Sequence, residues 1–221
     1  MRRVSAAASA DTESPLGVVL LDITGSAVTV VATDRYWLAM WSIPLPDLAV
    51  GERRVAVPAD EVPSLVTWLS RQDSVTLSVA EHKTALTAGA SVCPVPTVAG
   101  RCPAYRLVLE AQPASRGRVT VNREQLLAAA PRDGSPTRLA VGCNRLTVSS
   151  RDAIEGVHLA ATTVGEPIAI DFATGLLRSA LTTLVGAEAT LSYAAPDRAV
   201  RMSSADQRQF TAVVMPTRSD A

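Results

Sequence analysis

Aromatic side chains are scarce in this sequence: two Phe, three Trp and three Tyr in 221 residues. Lysine is scarcer still, since Lys83 stands alone and arginine supplies the remaining positive charge. Lys and Arg balance Asp and Glu, 21 against 21, so the formal net charge is zero. A zero total argues against a globally basic nucleic-acid binder and leaves only local basic faces. The three cysteines, Cys93, Cys102 and Cys143, are odd in number and include no Cys-x-x-Cys pair. That excludes a disulfide framework and a zinc-finger spacing, and it fits a reduced, cytoplasmic setting. No apolar run approaches the ~20 residues that span a bilayer. Met1-Arg2-Arg3 leads into Val4–Ala10, whose alanines and serines are too weakly apolar for a signal-peptide core.

The tools of catalysis are missing as well. His82 and His158 have no second ligand at metal spacing. There is no glycine-rich phosphate loop and no Gly-x-Ser-x-Gly elbow. Asp60 and Glu61 are adjacent, so on a helix they do not face one another, and a solvated first turn accounts for them. The expectation is a binding or scaffold protein, with no enzyme activity, no cofactor and no metal.

What is present begins with Val30–Leu45. An apolar strand, Val28–Ala32, meets a polar turn at Thr33-Asp34, and a second strand, Tyr36–Ile43, carries Tyr36, Trp37 and Trp41 before Pro44 and Pro46. Two strands around a short turn predict a hairpin. Its aromatics suit either core or a partner-binding wall. Helices are expected over Ala59–Arg71, Arg123–Ala130 and Phe172–Val185, with a short helix end in residues 2–10, Asn122 as an N-cap and Gly186 as a C-cap. Alternating strands fill most of the remainder, and Leu109–Gly117 has a linker's composition.

The pattern then repeats. Val75–Val79 matches Ala189–Tyr193, Val55-Ala56-Val57 matches Ile168-Ala169-Ile170, and Val28-Thr29-Val30 matches Leu146-Thr147-Val148. These matches predict two copies of one α+β domain, residues 1–110 and 111–221. Each copy would carry two helices and seven or eight strands, packed as mainly antiparallel sheets because few connections are long enough for crossovers.

Four motifs resemble one family. Val31-Ala32-Thr33-Asp34 with Trp37-Leu38-Ala39 resembles the ATDGHRLA turn of the bacterial DNA polymerase III β subunit, the sliding clamp. Arg101–Val108 is similar to its F-P-D-Y-R-x-V segment, Glu166–Phe172 with Leu176-Leu177 to EPLEIGFNxxYLL, and Val213–Arg218 to the terminal V-V-M-P-x-R-L. The resemblance covers the middle and last of a clamp's three domains, with the first strand of the middle one missing. It implies tandem DNA-clamp domains and a non-catalytic, nucleoid-associated role in replication and processivity.

By the same resemblance, partner proteins of polymerase, loader or repair type insert a short peptide, often Gln-x-x-Leu-Phe, into an inter-domain pocket. The positions carried over are Thr33, Tyr36, Trp37, Leu38, Pro103, Leu107, Val108, Leu176, Val213, Met215, Pro216 and Arg218. Inward-facing helices would offer Arg2, Arg3, Arg71, Arg123 and Arg178 to duplex phosphates. This chain departs from the family at several points. Arg35-Tyr36-Trp37 replaces Gly-His-Arg, Ala173 replaces Asn, Leu176 replaces Tyr, and Ser219 replaces the last Leu. A monomer or irregular oligomer is expected rather than a closed ring. The alternative expectation is a docking module of a helix-turn-helix transcriptional regulator.

Overall fold

The computed structural model describes the chain apart from residues 12, 46–50, 81–82, 100–102 and 218–221, so His82, Cys102 and Arg218 lie outside the described residues. Two compact units emerge: Met1–Arg35 with Ala39–Tyr105, and Tyr36–Leu38 with Arg106–Ala221. The division falls at Tyr105, earlier than residue 110, and it assigns three residues of the aromatic stretch to the second unit.

In the first unit, β1 (Val18–Thr24), β2 (Ala27–Thr33) and β3 (Trp37–Pro44) form a meander, and β4 (Arg53–Pro58) pairs with the other edge of β1. Leu20 sits opposite Val31 on β2 and Ala56 on β4. Val19, Leu20, Val31 and Val57 are fully buried. A 3-10 turn, Ala59–Glu61, leads into α1 (Val62–Leu69), with Pro63 in the first turn, where its missing N–H costs no helical hydrogen bond. Val62 and Leu65 bury the inner face of α1. A separate sheet follows, β5 (Thr76–Val79), β6 (Thr84–Ala88) and β7 (Ser91–Val95). The expected helix end in residues 2–10 is one 3-10 turn, Ser5–Ala7.

The second unit takes over along α2 (Tyr105–Glu110). The strand β8 (Gly117–Asn122) runs straight into α3 (Arg123–Ala129), and the side-chain oxygen of Asn122 accepts from the Gln125 N–H at 2.9 Å, the expected N-cap. Then come β9 (Thr137–Gly142), β10 (Arg145–Ser150), β11 (Val157–Val164), β12 (Ile168–Phe172), α4 (Thr174–Thr183), β13 (Glu188–Tyr193), β14 (Val200–Ser203) and β15 (Phe210–Val214). The sheet order is β12-β9-β10-β11-β8-β13-β14-β15. Leu126, Phe172, Leu177, Leu181, Met202 and Phe210 are fully buried, each stabilising the fold by roughly 1.5–3 kcal/mol.

The pairings resolved in both units are antiparallel, as short connections require. The repeated segments fall on corresponding strands: β5 with β13, β4 with β12, β2 with β10. Several boundaries differ from expectation, among them that of α1, which spans Val62–Leu69 inside the expected Ala59–Arg71. Leu109 and Glu110 are the last residues of α2 rather than linker. The α4 helix stops at Thr183, and Leu184 is already extended, so Gly186 does not cap it. Gly186 instead has φ +95°, the left-handed region that favours glycine, and a Cβ there would crowd the Asp206 side chain.

Candidate partner-binding surface

The terminal segment is set in place by backbone and charge. The Met215 N–H donates to the Tyr36 carbonyl at 2.8 Å, which carries the line of β15 on beside residues 36–38. Two residues later the Thr217 N–H donates to the Asp171 carbonyl at 2.8 Å. Asp171 is itself buried and takes a two-pronged guanidinium contact from Arg138, at 2.8 and 3.0 Å, because β9 and β12 place the two residues opposite one another. Arg151 adds a bond to the same carboxylate at 3.1 Å and donates to the Thr217 hydroxyl at 2.9 Å. Its own hydrogen bonds to Asp171, and the charge of that carboxylate, hold the Arg138 guanidinium above its usual pKa. Fixed at both ends, Met215 presents its side chain outward, 41% exposed.

The expected peptide-site residues divide by burial. Tyr36 is 63% exposed and Leu107 66%; Val108 and Met215 are exposed as well. Val213 is buried in the strand beneath, while Pro216 and Leu176 are half-buried. Trp37 is 3% exposed and Leu38 is buried, so both belong to the core rather than to an accessible wall. Thr33 and Pro103 fall in the first unit and are half-buried there. The exposed apolar side chains Tyr36, Leu107, Val108 and Met215 all belong to the second unit.

A cavity of about 350 Å³ in the same unit is lined by Leu109, Gln112, Tyr193, Arg201 and Val213, among others. Leu109 and Val213 share it, so the end of α2 lies near β15. Among the described residues of the expected site, Val213 is the one that reaches this cavity. Burial raises the pKa of the Tyr193 phenol, whose O–H donates to the Glu166 carbonyl at 3.3 Å. The other lining residues escaped the sequence reading because they come from α2, the segment 112–115, β13, β14 and the connection between β13 and β14, which no local pattern links.

The arginines expected to face DNA also divide. Arg2, Arg3 and Arg71 are exposed in the first unit. Arg123 on α3 donates to the Gly186 carbonyl at 2.9 Å, and Arg178 on α4 donates to the Leu127 carbonyl at 2.6 Å. Both guanidinium groups therefore serve the packing of the second unit and have less freedom to reach a phosphate. Among the described residues no group of three His, Cys, Asp or Glu could hold a metal. No described helix is long and apolar enough to cross a membrane.

Residues 1–104 match the family model of the DNA polymerase III beta subunit central domain. No curated protein matches the sequence. Solved structures match across almost the whole chain. The DNA polymerase III subunit beta of Pseudomonas aeruginosa superposes with a TM-score of 0.86 at 23% identity, covering 99% of this chain and 63% of that one. The fold is the bacterial sliding-clamp fold. The DNA polymerase III beta subunit of Thermotoga maritima has a TM-score of 0.85 at 16% identity, covering 98% of this chain and 62% of its own. The sliding clamp of Bacillus subtilis gives 0.81 at 20%, covering 99% and 61%. The chain thus spans a little over three-fifths of the length of the clamps it matches. The clamp fold accounts for the order of the four motifs, for the mainly antiparallel sheets and for the internal repeat.

Proposed function

We propose that this chain acts as a sliding-clamp-type, non-catalytic protein of DNA replication or repair, whose two units are middle-type and C-terminal-type clamp domains. Partner proteins dock a short apolar peptide on the surface that Tyr36, Leu107, Val108 and Met215 build. The observation that carries this reading is the presentation of Met215. The Tyr36 carbonyl and the Asp171–Arg151–Thr217 anchor fix the backbone on either side of it, and its thioether stays exposed. An apolar, adaptable side chain on a rigid mount suits capture of a short linear motif.

The test is a titration with a fluorescent Gln-x-x-Leu-Phe peptide. Binding is expected at micromolar strength, weakened by roughly 1–2 kcal/mol in Met215→Ala, the scale of a contact residue in such a site. A flat titration at high micromolar protein, or a Met215→Ala variant that binds as well as wild type, overturns the docking surface. Contact with duplex DNA is read in parallel from equilibrium binding to a labelled linear duplex, which should fall steeply with salt. Absence of binding at low salt, or binding unchanged by salt, removes the phosphate-contact part of the reading.

A further inference from the structure

The cavity of about 350 Å³ in the second unit borders the docking surface. Leu109 follows Val108 on α2, and Val213 stands two residues before Met215, so two of its walls continue that surface. Leu109, Pro113 and Val213 make it apolar on one side, and Ser115, Ser192 and Arg201 bring polar groups to the other. Among its lining residues Arg201 alone carries a charge.

Sheet register gathers further positive charge there. Arg118 on β8 lies opposite Ser192 on β13, Ser192 opposite Arg201 on β14, and Arg201 opposite Val213 on β15. Residues directly opposite share a face, and the alternation of burial along β8 and β14 puts Arg118 and Arg201 on the exposed one. Their Cα atoms are thus about 10 Å apart, two strand spacings, with a serine between them. Arg116, two residues before Arg118, is exposed as well. Among the described residues none of these three guanidinium groups has an acidic partner. The neighbouring acids sit off this row. Asp197 lies 3.8 Å from Arg198, Glu188 opens β13 four residues before Ser192, and Glu110 closes α2. Glu166 approaches through its carbonyl, on the Tyr193 side of β13.

A cation that lines a part-apolar cavity and lacks a counter-charge fits a carboxylate. We propose that the peptide docked beside Met215 carries an acidic side chain flanking its apolar motif, and that Arg201 receives this carboxylate in the cavity. Arg118 and Arg116 add attraction from the same face, and the Ser192 hydroxyl supplies a further donor. The proposal rests on the docking surface described above and adds a charge requirement to it: apolar motifs with basic flanks are repelled.

The test uses the full chain and three synthetic peptides with blocked ends, titrated by calorimetry at low salt. Each carries Gln-x-x-Leu-Phe with uncharged residues at the variable places. One has serines on both flanks, one has glutamates before the Gln, and one has glutamates after the Phe. One of the two acidic peptides should bind about three- to fivefold more tightly than the serine peptide, the upper range for an ion pair that water still reaches. That advantage should vanish in Arg201→Gln. It should persist in Arg145→Gln, an exposed arginine on β10, which β11, β8 and β13 separate from β14. No advantage for either acidic peptide, or one that survives Arg201→Gln, overturns the proposal. An advantage lost equally in Arg145→Gln also overturns it, by making the attraction general to the surface. The two readings fail separately. Met215→Ala against the serine peptide tests the apolar surface, whereas the ratio of acidic to serine affinities tests the charge. Acidic peptides that bind through Arg201 while the serine peptide does not bind would overturn the apolar surface and leave the charged cavity standing.

Discussion

The second unit sets β8 between β11 and β13 and fills its interior from α3, and a single sheet runs from β12 to β15. The first unit draws on the same strands in the same order, but its sheet divides where that strand would stand. Among the described residues, β8 and the α3 that follows it are what the second unit has and the first has not. Without that strand, the apolar faces of β1, β2, α1 and β5 border an open cavity.

The largest test of this contrast removes from the complete unit what the other lacks. Leu126 is fully buried at the centre of α3. Leu126→Ala should destabilise the second unit by about 2–5 kcal/mol, the range for deleting a buried leucine with incomplete relaxation. Hydrogen exchange of β8 and β13 should then rise toward that of β5. If β13 remains as protected as before, α3 is not what holds the sheet closed.

A smaller effect comes from the buried carboxylates. Asp171 in the second unit is met by two guanidinium groups. Asp22 in the first is 2% exposed, accepts the Tyr105 O–H at 2.8 Å and has Arg54 further off at 3.6 Å. Tyr105→Phe should cost the first unit about 1.5–3 kcal/mol, since it removes a short hydrogen bond to a charged group without changing the packing. Equilibrium denaturation measures it, and a loss under 0.5 kcal/mol, about the lower bound for a net hydrogen bond, would show that Arg54 suffices.

Much of this was legible beforehand. The repeat could be read because β-strands facing one core keep their alternation, as Val75–Val79 and Ala189–Tyr193 do. The Asn122 cap is a local signal and was found where it was expected. The Asp171 anchor was not legible, because its partners Arg138, Arg151 and Thr217 come from distant positions and only the sheet register brings them together. Nor could the sequence decide between Tyr36 and Trp37. Tyr36 falls in the bend before β3 and is exposed, whereas Trp37 opens the strand and is buried together with Leu38 and Ala39, a difference set by where the strand begins and not by residue type.

The two strand-to-helix junctions of the second unit allow a gain rather than a loss. Asn122 has φ −61° and ψ 120°, and Ala173 before α4 has φ −62° and ψ 118°, with no side-chain cap. The backbone at Ala173 is therefore already in the conformation that caps α3. Ala173→Asn should stabilise the second unit by about 0.5–2 kcal/mol. Thermal unfolding reads the change, and an unaltered midpoint would mean that the Asn amide cannot reach the first-turn N–H groups.

The smallest effect lies at the turn between β2 and β3. Arg35 sits at φ +85°, with its N–H held by the Thr33 hydroxyl at 3.2 Å. A non-glycine residue there pays about 1–2 kcal/mol for the clash of its Cβ, and glycine returns part of that through its freedom in the unfolded chain. Arg35→Gly should therefore stabilise the first unit by about 0.5 kcal/mol, the difference between those two terms. Arg35→Ala keeps the Cβ and should give no gain. Chemical denaturation of both variants separates backbone strain from any contribution of the guanidinium: equal stabilisation by Ala and Gly would assign the cost to the arginine side chain and leave the turn unstrained.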